Sequence, residues 1–88
     1  MIRASLTISN KLGLHARASA LLVKTASQFT SEIRIAREGV EVNGKSIMGI
    51  MMLAAAKGSS IRLKIEGEDQ EEAMSVLGEL IINGFGED

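Results

Sequence analysis

The chain holds a single histidine, His15, and two residues later an arginine, Arg17. An imidazole can act as a nucleophile and a guanidinium can grip an oxyanion, so the pair suits chemistry on a phosphoryl group. The segment Gly13-Leu14-His15-Ala16-Arg17 falls where a turn gives way to an amphipathic helix, which sets both groups at the positive end of a helix dipole. With His15 as N-cap and Ala16 as the first helical residue, the N–H groups of Ala16, Arg17 and Ala18 have no intrahelical partner and point toward an anion on the ring. Arg17 adds planar, permanently charged donors whose geometry matches phosphoryl oxygens. Exposed contacts of this kind contribute only about 0.3–1 kcal/mol each. That suits a group taken up and handed on, since every ~1.4 kcal/mol of excess would shift a transfer equilibrium tenfold toward the held form.

A self-contained hydrolase or transferase needs a second catalytic group near such a nucleophile. Between Met1 and Ser31 there is no Asp or Glu, so the local sequence offers neither a carboxylate to orient the ring nor a magnesium ligand. An acid would have to fold back from elsewhere. One imidazole and no cysteine give no nitrogen or sulfur ligand set, and no metal site or cofactor is expected. The residues describe a carrier without turnover of its own.

All ten Lys and Arg lie in residues 1–64 beside three acids, whereas residues 65–88 hold eight acids and no base. The half that carries His15 is therefore a basic surface suited to acidic partners or anions. Nucleic acid is not the expected partner, because Phe29 and Phe85 are the only aromatics and build no stacking platform. The longest apolar stretch, Ile50 to Ala56, is far short of the ~20 residues that cross a bilayer, and the N-terminus lacks a signal-peptide layout. A cytoplasmic protein without membrane insertion is the expectation.

The elements that must position the histidine follow from periodicity. Ile2, Ala4, Leu6 and Ile8 alternate with Arg3, Ser5 and Thr7 as a half-buried strand does, and the pattern recurs at Ile33 and Ile35, at Val40 and Val42, and at Ile61, Leu63 and Ile65. Arg37-Glu38-Gly39 is short enough to close a hairpin between the second and third strands. Helical stripes run through Ala18, Leu21, Leu22, Ala26 and Phe29, and through Ala73, Val76, Leu77, Leu80 and Ile81. Asp69 with Glu72 reads as a capping box for the latter, and Gly84 as its stop. A short helix after Ser46 puts Ile50, Leu53 and Ala54 on one side and Ile47, Met48, Met51 and Met52 on the other. The order β-α-β-β-α-β-α predicts one α+β domain over residues 1–88, a single sheet with its helices gathered on one face.

The run Leu12-Gly13-Leu14-His15-Ala16-Arg17-Ala18, followed by Asn43-Gly44-Lys45-Ser46-Ile47-Met48-Gly49-Ile50-Met51, resembles the HPr family, the histidine-containing phosphocarriers of the bacterial phosphoenolpyruvate-dependent phosphotransferase system. The resemblance spans essentially the whole chain. It implies an open-faced β-sandwich of four antiparallel strands covered by three helices. It also implies that His15 takes a phosphoryl group on Nδ1 from phosphorylated enzyme I, with Arg17 assisting, and delivers it to IIA domains of sugar permeases. The chain departs from the family at Ala18, where relatives usually carry proline, and at Leu12, which is more apolar than the residue often found there.

Ser46 is placed to cap the short helix, and the resemblance adds regulatory phosphorylation there by an HPr kinase/phosphorylase. A phosphate on it would set nearly two negative charges beside the apolar face that partners are expected to cover. The partner-binding surface is expected to comprise Leu14, Ala20, Lys24, Lys45, Ile47, Met48 and Met51, flexible methionines suiting a carrier with several acceptors. The expected state is a monomer. Two other functions fit parts of the pattern: a nitrogen-branch phosphocarrier, and a non-covalent anion-sensing module of ferredoxin-like type.

Overall fold

Alternation and helical spacing become seven principal elements in the computed structural model, which describes residues 1–87. They run β1 (Ile2–Thr7), α1 (Ala16–Ala26), β2 (Glu32–Arg37), β3 (Val40–Asn43), α2 (Ile47–Met52), β4 (Ser60–Glu66) and α3 (Gln70–Ile82), followed by a 3₁₀ turn at Gly84–Gly86. The strands form one antiparallel sheet in the order β1-β4-β2-β3, with Ala4 opposite Leu63 and Leu63 opposite Ile35. This is the open-faced α+β sandwich that the periodicity and the resemblance both predicted.

Ile33, Ile35, Ile61, Leu63 and Ile65 turn one face of the sheet inward, where Leu22 and Ala26 of α1, Ile50 of α2 and Ala73, Leu77 and Ile81 of α3 bury against them. The buried stripes are slightly narrower than the spacing predicts. Leu21 and Val76 stay 36% and 40% exposed at the stripe margins, and Ala54 lies beyond α2 at φ +49°, exposed rather than on the buried side. Phe29 is buried although α1 has ended at Ala26, because the Thr25 and Ala26 carbonyls accept from Gln28 and Phe29 N–H and turn the chain inward.

The predicted capping box at Asp69 is corrected. Asp69 occupies the N-cap position of α3, but its carboxylate makes no cap hydrogen bond. It accepts instead from the N–H groups of Thr30 and Ser31, at 2.9 and 3.0 Å, and from both hydroxyls, tying the start of β2 to the start of α3. These bonds hold the Asp69 carboxyl at about 2, the Ser31 hydroxyl contributing most. α3 does stop where glycine predicts, with Asn83 as C-cap and Gly84 at φ +63°. Among the described residues no helix is long and apolar enough to cross a membrane.

Candidate functional site

The loop between β1 and α1 delivers His15 through a glycine whose place any other side chain would strain. Gly13 takes φ +66°, and a Cβ on it would sit 2.5 Å from the Ala55 carbonyl oxygen. That same carbonyl accepts from Leu14 N–H at 2.9 Å, so the approach of the two loops fixes the chain just before the helix. Leu14 then turns inward and His15 outward.

His15 is the N-cap of α1, in extended conformation at φ −77° and ψ −179°, and its carbonyl accepts the helical bond from Ser19 N–H at 2.8 Å. The ring folds over the helix start, where Nδ1 accepts from Arg17 N–H at 3.3 Å. Among the described residues no protein oxygen accepts from the N–H groups of Ala16 or Ala18. The first turn carries no acidic side chain. Arg17 is exposed, and among the described residues its guanidinium has no carboxylate within ion-pair distance. Ala18 buries its methyl group in the core while its amide remains unpaired, so the residue found where relatives usually carry proline adds one donor to the helix end.

The carboxylate missing from the local sequence comes from the far end of the chain. Glu87 Oε2 lies 2.7 Å from His15 Nε2, across 72 residues of sequence. Its Oε1 accepts at 3.0 Å from the side-chain amide of buried Asn10, which also donates to the Gly13 carbonyl at 2.8 Å. Hydrogen bonds from Asn10 first and His15 second hold the Glu87 carboxyl below the ordinary glutamate value. Because Nδ1 accepts from a backbone N–H, the neutral ring carries its hydrogen on Nε2 and donates it to Glu87. The Nδ1 lone pair is thereby directed at the helix amides.

These groups surround an open hollow of about 410 Å³ lined by Lys11, Leu12, His15, Arg17 and Glu87. The His15 side chain retains 27% of its exposure, so one ring edge remains reachable. Sequence reasoning missed Asn10, Lys11 and Glu87. The available signal was Phe85 between Gly84 and Gly86: an aromatic that needs burial, flanked by two residues free to turn, returns the tail to the body. In the structure Phe85 is 5% exposed, and all three residues have positive φ.

The expected partner face is assembled only in part. Ala20, Lys24, Ile47, Met48 and Met51 are exposed, and Met48 retains 76% of its surface. Leu14 is corrected: it is 6% exposed, and its carbonyl accepts from Ser19 Oγ, so it belongs to the core beneath the site. Lys45 is partly engaged, since its ammonium donates to the Phe29 carbonyl at 2.7 Å. Ser46 caps α2 as predicted, with Oγ accepting from Gly49 N–H at 3.1 Å. Leu12 and Met52, exposed by 68% and 73%, widen the apolar surface beyond the predicted set. Among the described residues no group of three His, Cys, Asp or Glu is arranged to hold a metal ion.

Comparison with known proteins bears on the family and the fold. The family model described as the PTS HPr component phosphorylation site matches residues 2–83. A phosphocarrier protein HPr of Xylella fastidiosa is 54% identical over 88 residues, covering 100% of this chain and 99% of the relative. The crystal structure of HPr-C-His from Thermoanaerobacter tengcongensis superposes with a TM-score of 0.96 at 48% identity, covering 100% of this chain and 99% of that one. A crystal structure described as an HPr dimer from the same organism gives 0.79, covering 99% and 100% of the respective chains.

Proposed function

The chain belongs to the HPr family, the phosphocarriers of the phosphotransferase system, and we propose that His15 is its carrier atom's residue, with Nδ1 the nitrogen that is phosphorylated. The observation that carries this reading is the aim of Nδ1 into a helix N-terminus whose Ala16 and Ala18 amides have no protein acceptor. In uptake, the Nδ1 lone pair forms the N–P bond as the bond between phosphorus and the donor's leaving group breaks. The transferred oxygens then meet the Ala16, Arg17 and Ala18 N–H groups and the Arg17 guanidinium. Throughout, the Nε2 hydrogen remains on the ring and is held by Glu87, which acts as a positioning residue. Delivery reverses the same bond changes toward an acceptor.

The donor in this reading is phosphorylated enzyme I, and the acceptors are IIA domains, all in the cytoplasm. The chain has no turnover of its own. Ala20, Lys24, Ile47, Met48 and Met51, extended by Leu12 and Met52, form the surface that meets both partners. Incubation with enzyme I and phosphoenolpyruvate should place acid-labile phosphate on this chain, with none on His15→Ala, and the label should pass to a IIA domain. Phosphate on His15→Ala, or none on the unaltered chain, would sink the proposal. Transfer to a nitrogen-branch acceptor alone would move the protein to that branch.

Regulation at Ser46 is part of the same proposal. Its hydroxyl sits at the edge of the surface formed by Ile47, Met48 and Met51, so a phosphate there brings a dianion to a contact that must be desolvated on docking. Ser46→Asp should slow His15 phosphorylation by enzyme I severalfold while leaving the fold intact. An unchanged rate would remove the docking argument.

A further inference from the structure

The helices leave one face of the sheet open, and that face carries a charge pattern with no part in the His15 site. Arg3, Ser5 and Thr7 of β1 stand opposite Lys64, Arg62 and Ser60 of β4, and Arg34 of β2 stands opposite Lys64 on its other side. Arg3, Lys64 and Arg34 thus form one row of like charges across three strands, an arrangement that destabilises a sheet unless something offsets it. Two of the three are offset. Lys64 Nζ lies 2.7 Å from Glu41 Oε1, and an Arg34 guanidinium nitrogen lies 2.8 Å from Glu32 Oε2. The remaining carboxylate of this face, Glu66, stands opposite Glu32 at the end of the β2–β4 pair.

Arg3 also lines a hollow of about 380 Å³ with Glu32, Glu41 and Glu66, but two of those acids are held by Arg34 and Lys64, and neither Arg3 nor Arg62 is paired among the described residues. Both are exposed, and among the described residues neither has a carboxylate within ion-pair distance. They are diagonal neighbours across β1 and β4, a relation that places residues roughly 7–8 Å apart and within reach of long side chains. With Ala4 and Ser5 they line a hollow of about 260 Å³. A second hollow, of about 340 Å³, shares Ser5 and Arg62 and continues through Ser60 and Lys64 to Glu38 and Glu41, the latter already held by Lys64. Small residues beside Arg62, Ser5 on one strand and Ala36 on the other, keep the trough open.

We propose that this β1–β4 corner is a non-covalent binding site for a compact molecule bearing two phosphoryl groups, gripped by the Arg3 and Arg62 guanidiniums and the Ser5 hydroxyl. Each guanidinium can take one phosphoryl group through paired N–H donors, and the bound charge offsets the two arginines that the protein's own acids leave unpaired. The site lies on the sheet face turned away from the helices, so its occupancy is independent of phosphate on His15.

Inorganic pyrophosphate, followed by amide NMR, is the probe. Saturable shifts are expected at the amides of Arg3, Ala4, Ser5 and Arg62, unchanged in His15→Ala. In Arg3→Gln and Arg62→Gln, whose side chains are exposed and whose remaining spectra should stay native, affinity should fall about tenfold or more, with phosphorylation by enzyme I unaffected. Shifts confined to Gly13–Ala18, non-saturating shifts over the whole basic surface, or an unaltered response in both arginine variants would overturn the site. So would co-sedimentation with phosphatidylglycerol vesicles without a saturable response to pyrophosphate, which would assign the cations to a lipid surface.

Discussion

At the scale of single residues, the site divides into what one stretch of sequence can hold and what only folding can bring. The placement of His15 and Arg17 together was legible because both belong to one helix start, where dipole, free amides and guanidinium lie within a few residues. Glu87 was not, because its partner stands 72 positions away and nothing in the local pattern links them. The consequence is a ring whose tautomer is set from both nitrogens. Glu87→Gln retains the shape but presents a neutral amide to Nε2, so phosphoryl uptake from enzyme I should slow severalfold. The nitrogen-bound hydrogen, read by ¹⁵N NMR of the imidazole, should show a weaker preference for Nε2, since a neutral amide oxygen accepts less strongly than a carboxylate. An unchanged tautomer ratio would show that the Arg17 amide suffices. The pH dependence has a fixed sign: the folded carboxyl lies below the ordinary glutamate value of 4.5, so the contact is complete above that value. It is lost as pH falls through the lowered folded value.

At the scale of elements, alternation and helical spacing were enough to place the four strands and three α-helices, because nearly all bury one face against the same core; the exception is β3, where Val40 stays exposed and only Val42 packs, half-buried, on the core. What they misjudged was the use of polar side chains at the joints. Asp69 and Glu72 have capping-box spacing, yet the Asp69 carboxylate is taken by Thr30 and Ser31, donors contributed by the distant α1–β2 junction. A one-dimensional pattern cannot rank those donors against the helix's own amides. Since the Asp69 carboxyl falls from 3.8 to about 2 on folding, its contribution to stability is fully present above 3.8 and disappears as pH drops toward 2. Chemical denaturation of Asp69→Asn should therefore show lower stability at neutral pH and a flatter loss across that acid range. Parallel curves for the two proteins would deny the clamp. Gly13 is the other joint that matters. Gly13→Ala forces a side chain into positive φ and against the Ala55 carbonyl, and should cost about 1–3 kcal/mol in denaturant unfolding. It should also displace the start of α1, so phosphorylation slows even where the variant is fully folded.

At the scale of the whole molecule, the apolar and charged surfaces together decide what this chain meets. Leu12, Met48 and Met52 are each more than two-thirds exposed, enough to favour association in water. A second copy could offer the same apolar residues, and a dimer has been crystallised for the related HPr of Thermoanaerobacter tengcongensis. Pairing through this face, however, would bring Lys11, Arg17 and Lys24 of one copy toward their counterparts, and the one acid that shares their hollow, Glu87, is held by His15 and Asn10 and offsets only part of that charge. An acidic partner meets no such penalty, and its encounter is accelerated by the same charges. Salt should then separate the two associations, because the Debye length shrinks from about 10 Å at 0.1 M to about 3 Å at 1 M. Sedimentation should show a monomer at low ionic strength, with self-association strengthening as salt rises. Phosphoryl transfer from enzyme I should become slower over the same range. If both quantities moved in the same direction, the basic rim would not be what selects a foreign partner over a second copy.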